Sequence, residues 1–393
     1  MKRITSVLVL VACGCLAASG SVFAQSPEPE NWFSGKATLL LLGRDNVESS
    51  KFQEYREVPK GVSLPVFTLQ GRHNGTEFAL FGQNVSKSDQ RYAGYANLGW
   101  LGVTFDYNQI PHNMGNNGRT FLAETAPGVW SMSGTLRQTL GDAIDATLPT
   151  SARNYTFYSN LLGPTMASAG SVDLSSLRQH GEVAFDLGKN LPFDLTLTYM
   201  RELKSGSRGA SGGDILGAVT TAIDVPEPLN EITQDFGIRW AYAFKAGNVH
   251  ATFNRNLYND RVDALVVDNP FRATDRAYTS SSAPGGPAQA RFGTSPDNEA
   301  SRGAFGVQFK FARQTRIAAD VAMSTWTQNA AFLPYTINSV ILTSAGAPAN
   351  SLSSLQATSL NGKINTSTVN LSFMSRPVEH LGIRLRYRSY DLT

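Results

Sequence analysis

Cysteine is almost absent from this sequence. Cys13 and Cys15 are the only two, and both lie within the first 24 residues. That segment has a basic start, an apolar centre and small residues ending at Ala24, which predicts a secretory signal peptide over residues 1–24. A lipoprotein signal acylated at Cys13 is the alternative. A mature chain that starts at Gln25 contains no thiol, which excludes disulfides, thiolate metal sites and covalent haem attachment through Cys-x-x-Cys-His.

Long apolar runs and an excess of charge of one sign are also missing. After residue 24 no apolar run approaches the ~18 residues of a membrane-spanning helix, so any membrane residence must use β-strands. Removing the two basic residues of the signal from the total of 34 leaves 32 Lys and Arg against 31 Asp and Glu, a net charge of +1. This balance predicts no nucleic-acid partner.

The sequence does contain regular alternation of apolar and polar residues. From 235 to 244 every even position is apolar, and the odd positions are Asp, Gly, Arg and Ala. The same period of two recurs near 182–187, 193–199, 249–254, 305–311 and 381–387. It predicts strands with one apolar face. Soluble β-sandwiches alternate as well, so this pattern alone leaves sandwich and barrel both open.

The lengths of the connections favour the barrel. We predict strands near 33–43, 62–73, 76–86, 90–98, 102–109, 129–137, 153–159, 175–187, 193–205, 231–244, 248–258, 303–311, 316–328, 364–375 and 380–390. Most tight turns alternate with long loops, notably 110–128, 206–230, 259–302 and 329–363. This asymmetry is typical of outer-membrane barrels, whose strands of about 10 residues face lipid on one side and a polar lumen on the other. The predicted fold class is all-β: a large antiparallel transmembrane β-barrel of a Gram-negative outer membrane, over residues 25–393.

Four short motifs carry a family resemblance. They are "KFQEYREVPKG" at 51–61, "FDYNQIPHN" at 105–113, "DNPFR" at 268–272 and "RLRYRSYD" at 384–391. With this spacing the chain resembles the MtrB/PioB family, outer-membrane barrels associated with decahaem cytochromes, over essentially the whole mature chain. The family-motif positions are Gln109, Ile110, Pro111, His112, Asn113, Asn269, Pro270 and Phe271.

The resemblance implies a function that involves a partner protein. Family members sheathe a periplasmic decahaem c-type cytochrome across the outer membrane, in contact with lipid, and an extracellular cytochrome can complete such a conduit. The implied role is extracellular electron transfer or iron oxidation, with haem carried by the partner and no cofactor on this chain. A general or substrate-specific porin is the alternative. An outer-membrane enzyme is disfavoured, because no Ser/His/Asp arrangement with recognisable context appears.

No catalytic, cofactor-binding or metal-binding residue is predicted. The candidate lumen-facing charges, which would suit docking of a folded protein, are Glu182, Asp186, Asp194, Asp235, Arg239, Lys310, Arg384 and Arg386. Arg384, Arg386 and Arg388 form a basic stripe, read either as a porin constriction or as a ladder paired with acids on adjacent strands. His112 is a possible haem or metal ligand, but a hydrogen-bonded loop residue is the more ordinary interpretation.

The strand count predicts an open or incomplete barrel. Fifteen strands is an odd number, whereas bacterial single-chain barrels have an even number, so one edge lacks a partner. The resemblance points the same way, since family members continue with further strands after a segment like 384–391. We therefore expect residues 25–393 to form the N-terminal portion of a larger barrel.

Overall fold

The computed structural model describes residues 12–16, 31–43, 49–58, 60–147, 150–188, 191–212, 223–277, 286–311 and 314–393. Its main feature is a single antiparallel sheet of fourteen strands within these residues, which we call the wall. A second sheet of four strands and two helices are built from the long connections, and we call these elements the loop module.

The wall follows chain order apart from the two places where the loop module is inserted. Its strands are β1 (Ala12–Leu16), β2 (Trp32–Leu42), β3 (Gly61–His73), β4 (Thr76–Val85), β5 (Arg91–Asn97), β6 (Gly102–Thr120), β9 (Gly170–Asp186), β10 (Phe193–Gly212), β11 (Ile223–Phe244), β12 (Gly247–Asp260), β15 (Asn298–Phe311), β16 (Thr315–Gln328), β17 (Gly362–Val378) and β18 (Leu381–Leu392). The loop module comprises β7 (Ala123–Ala126), β8 (Val129–Ser131), α1 (Gly134–Ala146), α2 (Tyr155–Ala167), β13 (Ala264–Asp268) and β14 (Gln289–Gly293).

The predicted open wall is confirmed. Within the described residues, β18 is hydrogen-bonded only to β17, and no ladder joins it to β1 or β2. Thirteen of the fifteen predicted strands are present in the wall. The other two predictions were wrong: 129–137 contains the short β8 followed by α1, and 153–159 lies largely in α2. No helix in the described part of the chain is long and apolar enough to cross a membrane.

The predicted signal peptide falls mostly outside the described residues, which include neither 1–11 nor 17–24. The backbone of β1 pairs with β2 from Ala12 opposite Leu39 to Leu16 opposite Gly35. Cleavage after Ala24 stays a prediction. It would remove β1 and leave that edge of β2 without its partner.

The two ends of the wall have different connections, as predicted. At one end β3 and β4 are joined by Asn74-Gly75, with φ angles of 49° and 79° that suit a tight hairpin turn of the right twist. Lys245 and Ala246 form an equally short turn between β11 and β12. The predicted loop over 206–230 was wrong, because β10 and β11 continue their pairing to Gly212 opposite Ile223.

One face of the wall is a continuous apolar surface. Leu197 of β10 lies opposite Ile238 of β11, which in turn lies opposite Phe253 of β12. These side chains are 36%, 47% and 45% exposed, so the fold itself does not cover them. An exposed apolar surface of this extent is the one that a transmembrane barrel presents to lipid.

The compact cores lie in the loop module and where it meets the wall. One core packs Trp130, Leu265 and Val267 against Val225 of β11. The other packs Leu140 and Ile144 of α1 against Phe271. Wall strands need no core of this kind, because lipid covers their apolar face.

Single-cysteine labelling is expected to assign the two ends of the wall. With Cys13 and Cys15 replaced by alanine, Ser353→Cys in the exposed 329–361 connection should react with a membrane-impermeant maleimide on intact cells. Lys245→Cys in the tight turn should react only after lysis, because long loops of such barrels are extracellular and short turns periplasmic. If only Lys245→Cys reacted on intact cells, the tight turns would be extracellular and the long loops periplasmic.

Candidate functional site

The ladders place the predicted lumenal charges on one face of the wall. Residues directly opposite each other on antiparallel strands share a face. Asp186 lies opposite Thr196, which lies opposite Arg239, and the row runs on through β12 and β15–β17 to Tyr390 of β18. All eight predicted residues share that polar face: Glu182, Asp186, Asp194, Asp235, Arg239, Lys310, Arg384 and Arg386. That this face lines a lumen stays a prediction.

The acidic residues of the polar face, on β6 and β9–β11, are mostly engaged by neighbours. Glu202 lies 2.5 Å from a guanidinium nitrogen of Arg178 and 3.4 Å from Nδ1 of His180. Three further contacts are Arg91 to Asp106 at 2.6 Å, the Thr196 hydroxyl to Asp186 at 2.7 Å and the Asn256 amide to Asp235 at 3.0 Å. Arginines thus neutralise Asp106 and Glu202, whereas Asp186 and Asp235 keep their negative charge because their partners are neutral.

The basic residues of β18 are in a different situation. Opposite Arg384, Arg386 and Arg388, β17 places Met374, Ser372 and Asn370. None of these is an acid, so within the described residues the stripe is not a ladder paired with acids on the adjacent strand. The three guanidinium groups project from an exposed strand with no ion-pair partner in that part of the chain.

The Gln-Ile-Pro-His-Asn motif lies inside a strand. The predicted loop over 110–128 was wrong in its first part, because β6 runs on to Thr120 and Pro111 lies opposite Leu177 of β9. On its other side β6 pairs with β5 only as far as Asn108. Pro111 therefore lies where one side of the strand has no ladder, which is where a residue without an N–H is tolerated.

The loop at 49–58 lies against this part of β6. Its Glu54 carbonyl accepts a hydrogen bond from the Asn113 N–H at 2.8 Å. The ring of Tyr55 stacks on His112 with centroids 4.6 Å apart, and Nε2 of His112 lies 3.7 Å from a Glu54 carboxylate oxygen. Two of the family motifs, far apart in sequence, thus meet at one place, and His112 fastens the loop to the wall.

Glu57 anchors the same loop to the β4–β5 turn. Its carboxylate accepts a hydrogen bond from the Ser88 N–H at 2.8 Å and lies 3.3 Å from the Lys87 ammonium. Burial raises the pKa of Glu57, but the Ser88 and Lys87 donors outweigh burial, so the pKa lies below its ordinary value. A cleft of about 320 Å³ opens beside His112, lined in part by Arg56 and Ser176.

The Asp-Asn-Pro-Phe-Arg motif at 268–272 is buried in the loop module. Asn269 is fully buried, and its side chain accepts from the Phe271 N–H at 2.9 Å and donates to the Pro287 carbonyl at 2.9 Å. Phe271 is 2% exposed and contacts Gly141 of α1, whose missing Cβ would lie 2.6 Å from the Phe271 carbonyl oxygen. The motif is therefore the attachment point of α1.

Arg137 of α1 holds this motif in place. It lies 3.2 Å from the buried carboxylate of Asp268 and donates to the carbonyls of Asn269 at 3.1 Å and Arg272 at 2.6 Å. A further bond reaches the Ala288 carbonyl. No sequence motif singled out Arg137, which is buried on the same face of α1 as Leu140.

Asp275 joins this region to the 329–361 connection. Its carboxylate accepts from the backbone N–H groups of Ala288 and Ser339, both at 2.7 Å. Burial raises the pKa of Asp275, but these donors outweigh it and hold the pKa below its ordinary value. No group of three or more His, Cys, Asp and Glu side chains in the described residues is arranged to hold a metal ion.

Comparisons with known proteins identify the family. The family model for MtrB/PioB outer membrane beta-barrel porins matches residues 44–392. No curated protein matches the chain. The outer-membrane expressed OmpT of Vibrio cholerae is 11% identical, covering 92% of this chain and 81% of its own, with a TM-score of 0.30. The in-vitro folded OmpT of Vibrio cholerae is also 11% identical, covering 91% and 87%, with a TM-score of 0.28.

The family match covers nearly the whole chain and agrees with the antiparallel wall and its exposed apolar face. The family is one of porin-like barrels and is not an enzyme family. The protein therefore belongs to the MtrB/PioB family of outer-membrane β-barrel porins and resides in the outer membrane.

Proposed function

We propose that this barrel sheathes a periplasmic decahaem c-type cytochrome and so forms a transmembrane electron conduit for extracellular electron transfer or iron oxidation. Membership of the MtrB/PioB family carries the proposal. An extracellular cytochrome would extend the conduit outward. This chain acts as a structural sheath and performs no catalysis.

The chemistry of the chain supports a role without a cofactor of its own. Residues 25–393 contain no cysteine and hence no Cys-x-x-Cys-His motif. The haem groups would therefore belong to the partner. The wall would contribute an insulating layer between haem and lipid, with its apolar face toward lipid and its polar face toward the cytochrome.

A porin function is the rival, because the family description itself names porins. The unpaired arginines of β18 would then favour anions in an aqueous channel. The two functions differ in what fills the lumen, which is either a folded protein or water.

Co-purification tests the proposal. A tagged barrel extracted from outer membranes of its own host in detergent at moderate salt should bring down a haem-staining protein in a fixed ratio. An unrelated tagged porin from the same membranes is the control. A barrel that elutes alone and conducts ions in a planar bilayer, while the cytochrome stays soluble in the periplasm, would favour the porin.

A further inference from the structure

We propose that the polar face of β15–β18 binds an acidic surface of the sheathed cytochrome and thereby fixes the rotation of the cytochrome inside the barrel. We call this area the basic face. The inference rests on the proposed function, and adds to it which strands bind the partner and which charge the partner presents there.

Unpaired cations mark the basic face. Its basic residues are Arg302, Lys310, Arg316, Arg384, Arg386 and Arg388, all exposed. Asp320 is the one acid on the polar face of β15–β18, and it lies 3.5 Å from His250 of β12. Within the described residues, the only side-chain partner of Arg316 is the Gln308 amide, which lies 2.9 Å from Arg316 Nε. The other five basic residues have no side-chain partner in that part of the chain.

The arrangement of these cations is unfavourable in the chain alone. Lys310 lies directly opposite Arg316, and the same row reaches Arg384 through Met374. Like charges directly opposite each other on neighbouring strands destabilise a sheet. An anionic partner would remove this repulsion.

The dimensions favour a protein surface over a small anion. Arg384, Arg386 and Arg388 occupy alternate positions, so neighbouring side chains on this face are about 7 Å apart along the strand. Four strands about 4.8 Å apart give the basic face a width of roughly 14 Å. An area of this size exceeds one small anion and matches several carboxylates of a folded protein, which guanidinium groups bind in a planar, two-bond geometry.

The other half of the polar face explains why one rotation would be preferred. Arg178 neutralises Glu202, but within the described residues no Lys or Arg side chain pairs with Asp186, Asp194 or Asp235. On the polar face of the described residues, β9–β11 therefore carry uncompensated negative charge, whereas uncompensated positive charge is concentrated on β15–β18. An acidic surface would turn toward those strands.

Three barrels would test the inference: the wild type, R384Q/R386Q/R388Q and R384K/R386K/R388K. The probe is the multihaem cytochrome that co-purifies with the wild-type barrel. Its affinity for each purified barrel would be measured in detergent over a range of salt concentrations. We expect the Gln variant to bind about tenfold more weakly with a smaller salt dependence. The Lys variant should keep the wild-type salt dependence and lose only part of the affinity, because lysine retains the charge without the two-bond geometry. Unchanged heat-modifiable gel mobility would show that each barrel is folded.

The outcomes separate the inference from the proposed function. If the wild-type barrel binds the cytochrome and the Gln variant binds equally well with the same salt dependence, the basic face is not the docking surface, although the sheath stands. If the wild-type barrel retains no cytochrome at any salt concentration, both proposals fall. Should the Gln variant not fold, wild-type cytochrome binding that does not weaken between about 0.05 and 0.5 M salt would overturn the inference.

Discussion

Replacing Arg137 with Met is expected to unfold the loop module while leaving the wall assembled. The substitution removes the cation from the buried Asp268 carboxylate and the donors from three backbone carbonyls. Breaking a buried ion pair by removing one partner typically costs about 3–5 kcal/mol, because the remaining charge stays buried without compensation. The wall has its own ladders and does not depend on this contact.

Limited proteolysis of the folded barrel in detergent would measure this effect. Cleavage within the loop module should become much faster in the Arg137→Met variant, with heat-modifiable gel mobility of the barrel unchanged. Arg119→Met is the matched control, because Arg119 is an exposed arginine near the end of β6. Equal protease resistance of the Arg137 and Arg119 variants would contradict the role assigned to Arg137.

Leu197→Arg is expected to block assembly, whereas Thr198→Arg is expected to be tolerated. The two residues are adjacent on β10 at nearly the same depth but lie on opposite faces. Leu197 lies opposite Ile238 on the apolar face, and Thr198 lies between Ala184 and Gly237 on the polar face, where these two small neighbours allow a long side chain to extend away from the sheet. Arginine on the lipid face near the bilayer centre costs about 2–4 kcal/mol.

The pair also tests which face lines the lumen. Folding into lipid vesicles, followed by urea titration, should give a large loss of stability for Leu197→Arg and little change for Thr198→Arg. The same ranking should appear in the amount of each protein in the outer membrane. A larger loss of stability for Thr198→Arg would mean that the polar face contacts lipid and the apolar face lines the lumen. The basis for a charged lumen would then be lost.

The wall could be predicted from sequence because each strand carries its own signal. Alternation over 235–244 defines both β11 and its apolar face without knowledge of any neighbour. Alternation was misleading in the segment around Tyr155 and Phe157, which reads as a strand but forms the start of α2. Asn154 caps that helix, because its side-chain oxygen accepts a hydrogen bond from the Phe157 N–H at 3.1 Å. An asparagine just before an apolar segment is typical of a helix N-cap, and this was the sequence signal for a helix here.

The contacts between motifs could not be predicted in the same way. The motifs at 51–61 and 105–113 were recognisable, but their contact through Tyr55 and His112 depends on how a loop crosses two intervening strands. Arg137 carried no signal at all, since its partners lie more than 130 residues away along the chain. Such pairings depend on the three-dimensional arrangement of loops, which local periodicity does not encode.

The unequal lengths of the wall strands give the barrel an uneven rim. β11 has 22 residues and β10 has 20, whereas β15 and β16 have 14 each. At about 3.3 Å per residue, β11 is roughly 70 Å long, about twice the length that a tilted strand of about 10 residues uses to cross the bilayer. The excess lies at the end with the long loops, so the flank of β10 and β11 stands well above the flank of β15 and β16. There Val225 of β11 packs against Leu265 and Val267, so the higher flank supports part of the loop module.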